Sequence, residues 1–125
     1  MTPARREPKE PETLLPLTPA TFHILLVLAD EERHGYAIML EIEQQTERAL
    51  RMGPGTLYGS LKRLLSGGLI EESDEQRAGP GLSDGRRRYY RITPFGRAVA
   101  RAEARRMALM VRLAQRARLI GPEPA

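Results

Sequence analysis

Apolar residues recur with a helical period in four stretches of this chain, and two short runs between the third and the fourth read as strands. The first stretch, about Pro19 to Ala29, holds Phe22, Ile24, Leu25, Leu26, Val27 and Leu28. It is apolar nearly all round, which predicts a centrally buried helix. Asp30-Glu31-Glu32-Arg33 is a polar break, and Gly35 opens a second helix, about Tyr36 to Thr46. Ile38, Met39 and Ile42 give that helix an inner face, and Glu41, Gln44, Gln45 and Glu47 an outer one. In the third stretch, Pro54 to about Ser66, Leu57, Leu61, Leu64 and Leu65 fall within a sector of roughly 100°. Gly67-Gly68 ends it by permitting left-handed backbone. Leu69 to Ser73 then predicts a short strand and Arg87 to Ile92 its return. The segment between them, Asp74 to Arg86, is too long and glycine-rich for a tight turn. Two short strands are marginal alone, so they must pack on the helices. The last helix runs from Pro94 to about Leu119.

Three of the helix starts share one chemistry. Thr18-Pro19, Gly53-Pro54 and Thr93-Pro94 each set a capping-type residue before a proline. Proline at the first helical position has a suitable φ and lacks an N–H that would go unpaired there. The order helix, helix, helix, hairpin, long helix predicts a mainly α fold with a small β-hairpin: a winged helix-turn-helix followed by a long C-terminal dimerisation helix. The expected organisation is a flexible arm over 1–16, a winged domain over 17–93, the dimerisation helix over 94–120 and a tail over 121–125. The arm follows from Pro3, Pro8, Pro11 and Pro16 among alternating charges, too little apolar surface to offset ordering.

The polar side of the third helix is unusual for one that merely faces water. It carries Gly55, Gly59, Lys62, Arg63 and Ser66, with Thr56 and Tyr58 at its borders. Glycine in a helix costs up to about 1 kcal/mol against alanine. Small residues let a backbone come close to a surface, while hydroxyl and cationic donors reach phosphates or base edges. Charge points the same way. The 125 residues carry a net charge of +4, yet eleven Arg and one acid, Glu103, lie between Arg86 and Arg118. That stretch is therefore at +10 and the remainder at −6, an asymmetry that fits a polyanionic partner. The candidate DNA contacts are Pro54, Gly55, Thr56, Tyr58, Gly59, Lys62 and Arg63 on the third helix and Arg86, Arg87 and Arg88 on the wing.

Other chemistries find little support. The chain has no cysteine and only two histidines, His23 and His34, so no thiolate or paired-imidazole metal site is expected. Glu41 and Glu43 cannot share a helix face, Glu71 and Glu72 alternate across a strand, and no phosphate-cradling loop with its lysine is present. No enzyme activity, metal or cofactor is expected. No apolar run approaches the ~18 residues that span a membrane, and the N-terminus has no apolar signal region, which reads as a cytoplasmic protein.

Two apolar stripes run down the last helix: Phe95, Val99, Ala102, Leu109 and Leu113, and beside them Met107, Met110, Ala114 and Ala117, with Arg106 interrupting the first. Together they exceed what one small domain covers, which predicts an interface with the same helix of a second subunit. Phe95, Val99, Ala102, Leu109, Met110, Leu113 and Ala117 are the expected dimer contacts.

Several motifs, in order, also resemble the PadR-type transcriptional regulators. They are His34-Gly35-Tyr36, Gly53-Pro54-Gly55-Thr56-Leu57-Tyr58, Leu61-Lys62-Arg63-Leu64, Gly68-Leu69-Ile70 and Arg88-Tyr89-Tyr90-Arg91-Ile92-Thr93-Pro94-Phe95-Gly96. The resemblance spans about 18–97 and implies a homodimer that binds double-stranded DNA at an imperfect inverted repeat, usually a repressor released by a small-molecule effector. By position, Thr56 and Tyr58 resemble phosphate contacts, Lys62 and Arg63 backbone or base contacts, and His34-Gly35-Tyr36 the segment that seats the second helix against DNA or the third helix, which adds His34 to the candidate DNA contacts. Tyr36 is expected to pack partly buried, and Tyr89 and Tyr90 to pack rather than contact DNA. Having no tryptophan, the chain lacks the family's aromatic drug-stacking arrangement. The alternative is a winged protein–protein module that binds an acidic partner without DNA.

Overall fold

The computed structural model describes residues 10–73 and 88–122. A single turn of 3-10 helix, Pro11–Leu14, precedes α1 (Pro19–Asp30), β1 (Arg33–His34), α2 (Gly35–Gln45), α3 (Pro54–Ser66), β2 (Ile70–Ser73), β3 (Tyr89–Ile92) and α4 (Pro94–Arg116). The helix starts follow the expected chemistry. The Thr18 hydroxyl accepts from the Thr21 N–H at 3.2 Å and the Thr93 hydroxyl from the Gly96 N–H at 2.9 Å. Gly53 has no side chain to offer, and proline alone sets the first turn of α3. Gly67 stays right-handed while Gly68, at φ +80°, makes the turn into β2.

α1 is the hub, packing against α2, α3, α4 and β3. Ile24, Leu25, Val27 and Leu28 are buried in it, against Ile38 and Ile42 from α2 and Leu57, Leu61 and Leu64 from α3. Leu26 is exposed, so α1 keeps one face to solvent and is not enclosed all round. α4 closes the core with Val99 and Ala100, and Ile70 and Tyr90 close it from the sheet.

Three findings revise the expectations. The sheet has three antiparallel strands, not two: β3 is central, with Ile70 opposite Ile92 and Glu72 opposite Tyr90 on one side, and Arg33 opposite Tyr90 on the other. The polar break before α2 thus supplies the third strand. Residues 1–9 and 74–87, the latter with the candidate contacts Arg86 and Arg87, lie outside the described residues. From Pro11 onward, however, the expected arm is a strap: the 3-10 turn lies against α4, and Leu14, Leu15 and Leu17 pack on the core. Val99, expected as a dimer contact, is fully buried in the chain's own core, and Phe95, expected as another, packs against that core, so both serve the fold. The stripe is thus divided: its N-terminal part packs inside the domain and its outer part is exposed.

Candidate nucleic-acid interface

α3 turns its leucines inward and its donors outward. Leu57, Leu61 and Leu64 are buried, while Pro54, Gly55, Thr56, Tyr58, Lys62 and Arg63 are exposed and Gly59 is half-buried. Ser60 is buried too, a position the leucine pattern did not single out. Arg63 donates to the Ser60 hydroxyl at 3.3 Å, which directs part of its guanidinium along the helix. A Cβ at Gly55 would meet nothing within 4 Å, and one at Gly59 only the Arg63 guanidinium at 3.7 Å. The fold of the protomer therefore requires neither glycine; both leave an open, low surface on the polar side.

The segment ahead of α2 meets the start of α3. His34 is the N-cap of α2: its Nδ1 accepts from the Ala37 N–H at 3.3 Å. Its ring stands edge-on to Tyr89, centroids 5.5 Å apart. These contacts assign His34 a structural part beside its candidate part in DNA contact. Gly35 is buried beneath the Tyr58 ring. Tyr36, expected to pack partly buried, is 58% exposed and belongs to the surface instead. Tyr89 is half-buried and Tyr90 buried.

Between these elements lies a groove of about 550 Å³, lined by His34, Tyr36, Tyr58, Glu72, Arg88 and Tyr90. Burial, aided by the Glu72 carboxylate, pushes the Tyr90 phenol above its ordinary value of 10.0, so it remains a protonated donor. Arg88 donates to Glu72 across the strand pair at 2.9 Å. On the opposite face of the sheet Arg91 donates to Glu71 at 2.7 Å. Glu72, set among donors, was not a sequence-level candidate. Among the described residues no group of three or more His, Asp or Glu side chains could hold a metal ion, and no helix is long and apolar enough to cross a membrane.

The second candidate surface is the outer part of α4. Beyond Glu103 no residue of this helix is buried by the protomer, and Met107, Leu109, Met110, Val111 and Leu113 are all exposed. Ala102 is half-buried at the edge of the domain and Ala117 is exposed just past the helix end. Glu103 itself is fully buried. Its carboxylate accepts from Arg106 Nε at 2.6 Å and Nη2 at 3.2 Å, and from the Leu17 N–H at 2.9 Å. Arg106, which interrupts the apolar stripe, is thus the counter-ion of a buried carboxylate. The Arg106 hydrogen bonds hold the Glu103 carboxyl below the ordinary carboxylate value, against the opposing push of burial and with help from Leu17.

Helix-turn-helix, three-stranded sheet and trailing helix together define a winged-helix regulator. The family described as "Transcriptional regulator PadR-like family" matches residues 24–102, and the chain belongs to that family. It is 41% identical over 91 residues to transcriptional regulator Rv3488 of Mycobacterium tuberculosis, covering 72% of this chain and 77% of that protein. It is 41% identical over 85 residues to an uncharacterized 37.1 kDa protein in a transposon of Streptomyces fradiae, covering 68% of this chain but 22% of that protein. Among solved structures, a PadR family transcription regulator from Clostridium difficile R20291 superposes with a TM-score of 0.62 at 26% identity, covering 78% of this chain and 95% of that one. Transcription regulation follows from the family, whose members are transcription factors rather than enzymes.

Proposed function

We propose that the chain regulates transcription in the cytoplasm by binding double-stranded DNA as a homodimer, with α3 in the major groove and the wing on the flanking backbone. The observation that carries this reading is α3 itself, anchored by Leu57, Leu61 and Leu64 while Thr56, Tyr58, Lys62 and Arg63 stand exposed beside two glycines the fold does not need. A helix so disposed offers donors to phosphates and base edges and has nothing bulky to hold a duplex away. The exposed apolar part of α4 supports a two-fold dimer, whose recognition helices would sit near 34 Å apart, one helical turn, on an imperfect inverted repeat. Repression, and release by a small-molecule effector, rest on the family resemblance alone.

Titration of a labelled promoter fragment tests the reading. The expected result is binding that falls steeply with salt and weakens about five- to thirtyfold in Lys62→Ala or Arg63→Ala, the scale of a lost donor pair. Unchanged affinity in both variants would remove α3 from the interface. Absence of any DNA shift at low salt, with stable capture of an acidic protein, would favour a protein–protein module.

A further inference from the structure

Glu72 places a carboxylate on the wall of a groove whose other polar groups are mostly donors. The β2–β3 register sets it opposite Tyr90. Residues two apart on a strand share a face, so Glu72, Tyr90 and Arg88 lie on one side of the sheet. That side is buried at Ile70 and Tyr90 and opens outward into the groove beside Tyr58 at the start of α3. Phenols and a guanidinium suit a phosphodiester; a carboxylate among them repels one. Glu72 is also paired. Its Oε2 accepts from Arg88 Nη1 at 2.9 Å, with the two side chains 41% and 61% exposed. An ion pair this open to water is weak and readily exchanged.

We infer that Glu72 is a specificity-setting counter-ion of the DNA-binding surface, one that competes with a backbone phosphodiester for Arg88. The inference rests on the DNA-binding reading above. In a loosely docked complex the phosphate does not enter the groove, and Arg88 stays with Glu72 and adds nothing. When α3 seats fully, the phosphodiester comes within reach of Arg88 and the Tyr58 phenol, and Arg88 changes partner. Glu72 thereby makes one cationic contact conditional on close docking and holds down the sequence-independent affinity that backbone charges otherwise supply.

The test compares native protein, Glu72→Gln, Arg88→Ala and the double variant, each titrated with a labelled random-sequence duplex of about 25 base pairs across a salt series. Glu72→Gln is expected to bind about three- to tenfold tighter, with a log-affinity against log-salt slope steeper by roughly one phosphate contact per protomer. In the Arg88→Ala background the gain should shrink to about twofold or less, because no guanidinium remains to be released. Unchanged affinity and slope in Glu72→Gln, while native protein binds and Lys62→Ala weakens binding, would overturn this inference alone. An equal gain with and without Arg88 would overturn the competition and leave plain charge repulsion. A native protein that shifts no duplex at low salt would overturn the DNA-binding reading as well.

Discussion

The Tyr58 hydroxyl lies so close over Gly35 that a Cβ at residue 35 would come within 2.6 Å of it. The first residue of α2 is thereby the seat of a residue on the outward side of α3, and the gap between the two helices is set by a missing methyl group. Tyr58 is 49% exposed, so it can swing away from an added methyl without disturbing the core. Gly35→Ala is expected to leave stability within about 1 kcal/mol of native, since alanine also favours the helix. DNA affinity should nonetheless fall several-fold, because Tyr58 is displaced. Thermal melts and a DNA titration on the same preparation check this. Loss of stability with unchanged affinity would mean that Gly35 serves packing only.

How far the chain discloses such arrangements depends on the range of the forces involved. The bounds of α3 were legible because Gly53-Pro54 and Gly67-Gly68 punctuate it locally and the leucine period fixes its inner face. β1 was not: a two-residue strand has no period of its own and exists through its pairing with β3. The apolar stripe of α4 was legible, but not the point at which it leaves the core, since nothing local marks where α4 leaves the domain; Val99 is buried and Leu113 exposed, yet the two look alike in sequence. Glu103 left a signal that could have been used. It sits three and four residues from Ala100, Val99 and Met107, on an apolar side of the helix, with Arg106 one turn on. Tyr36, exposed against expectation, shows that an aromatic beside a buried glycine need not follow it inward.

Glu103 ties the strap ahead of α1 to α4, and its protonation should be felt in stability. Hydrogen bonds from Arg106 keep its folded pKa below the ordinary value of 4.5. A carboxyl shifted down contributes stability that is complete above its unfolded pKa and disappears as pH falls through the folded value. Glu103→Gln should therefore cost about 1–3 kcal/mol near neutral pH, the scale of a lost buried acceptor. The difference from native protein should narrow once pH drops below the ordinary carboxylate range. Denaturant melts at a series of pH values give the comparison; a gap constant with pH would show that shape, not charge, matters at this position.

The division of α4 into a core part and an exposed part proposed to meet a second copy predicts opposite behaviour at its two ends. Leu113 is 43% exposed in the protomer, and burying such a side chain against a second copy is worth about 1.5–3 kcal/mol. Leu113→Glu should yield a folded monomer, seen as halved mass in sedimentation with native helical content. Val99, fully buried, should behave in the reverse way. Val99→Ala should lower protomer stability by about 1–3 kcal/mol and leave the dimer intact where the protein is still folded. Dissociation by Val99→Ala at full helicity would contradict its placement in the core.

Gly59 offers the sharpest separation of stability from binding. It lies in the middle of α3, where glycine is unfavourable, and an added methyl would find only ordinary contact with the Arg63 guanidinium at 3.7 Å. Gly59→Ala should raise stability by about 0.5–1 kcal/mol. The same methyl would stand on the side proposed to meet the duplex, where it keeps the helix backbone away from base edges. Binding should weaken about five- to tenfold, the loss expected when a close approach is blocked. A single residue would then stabilise the protein and impair its function, a combination that neither a solvent-facing helix nor a packing defect produces. A raised melting temperature with undiminished DNA affinity would place the docked face of α3 elsewhere.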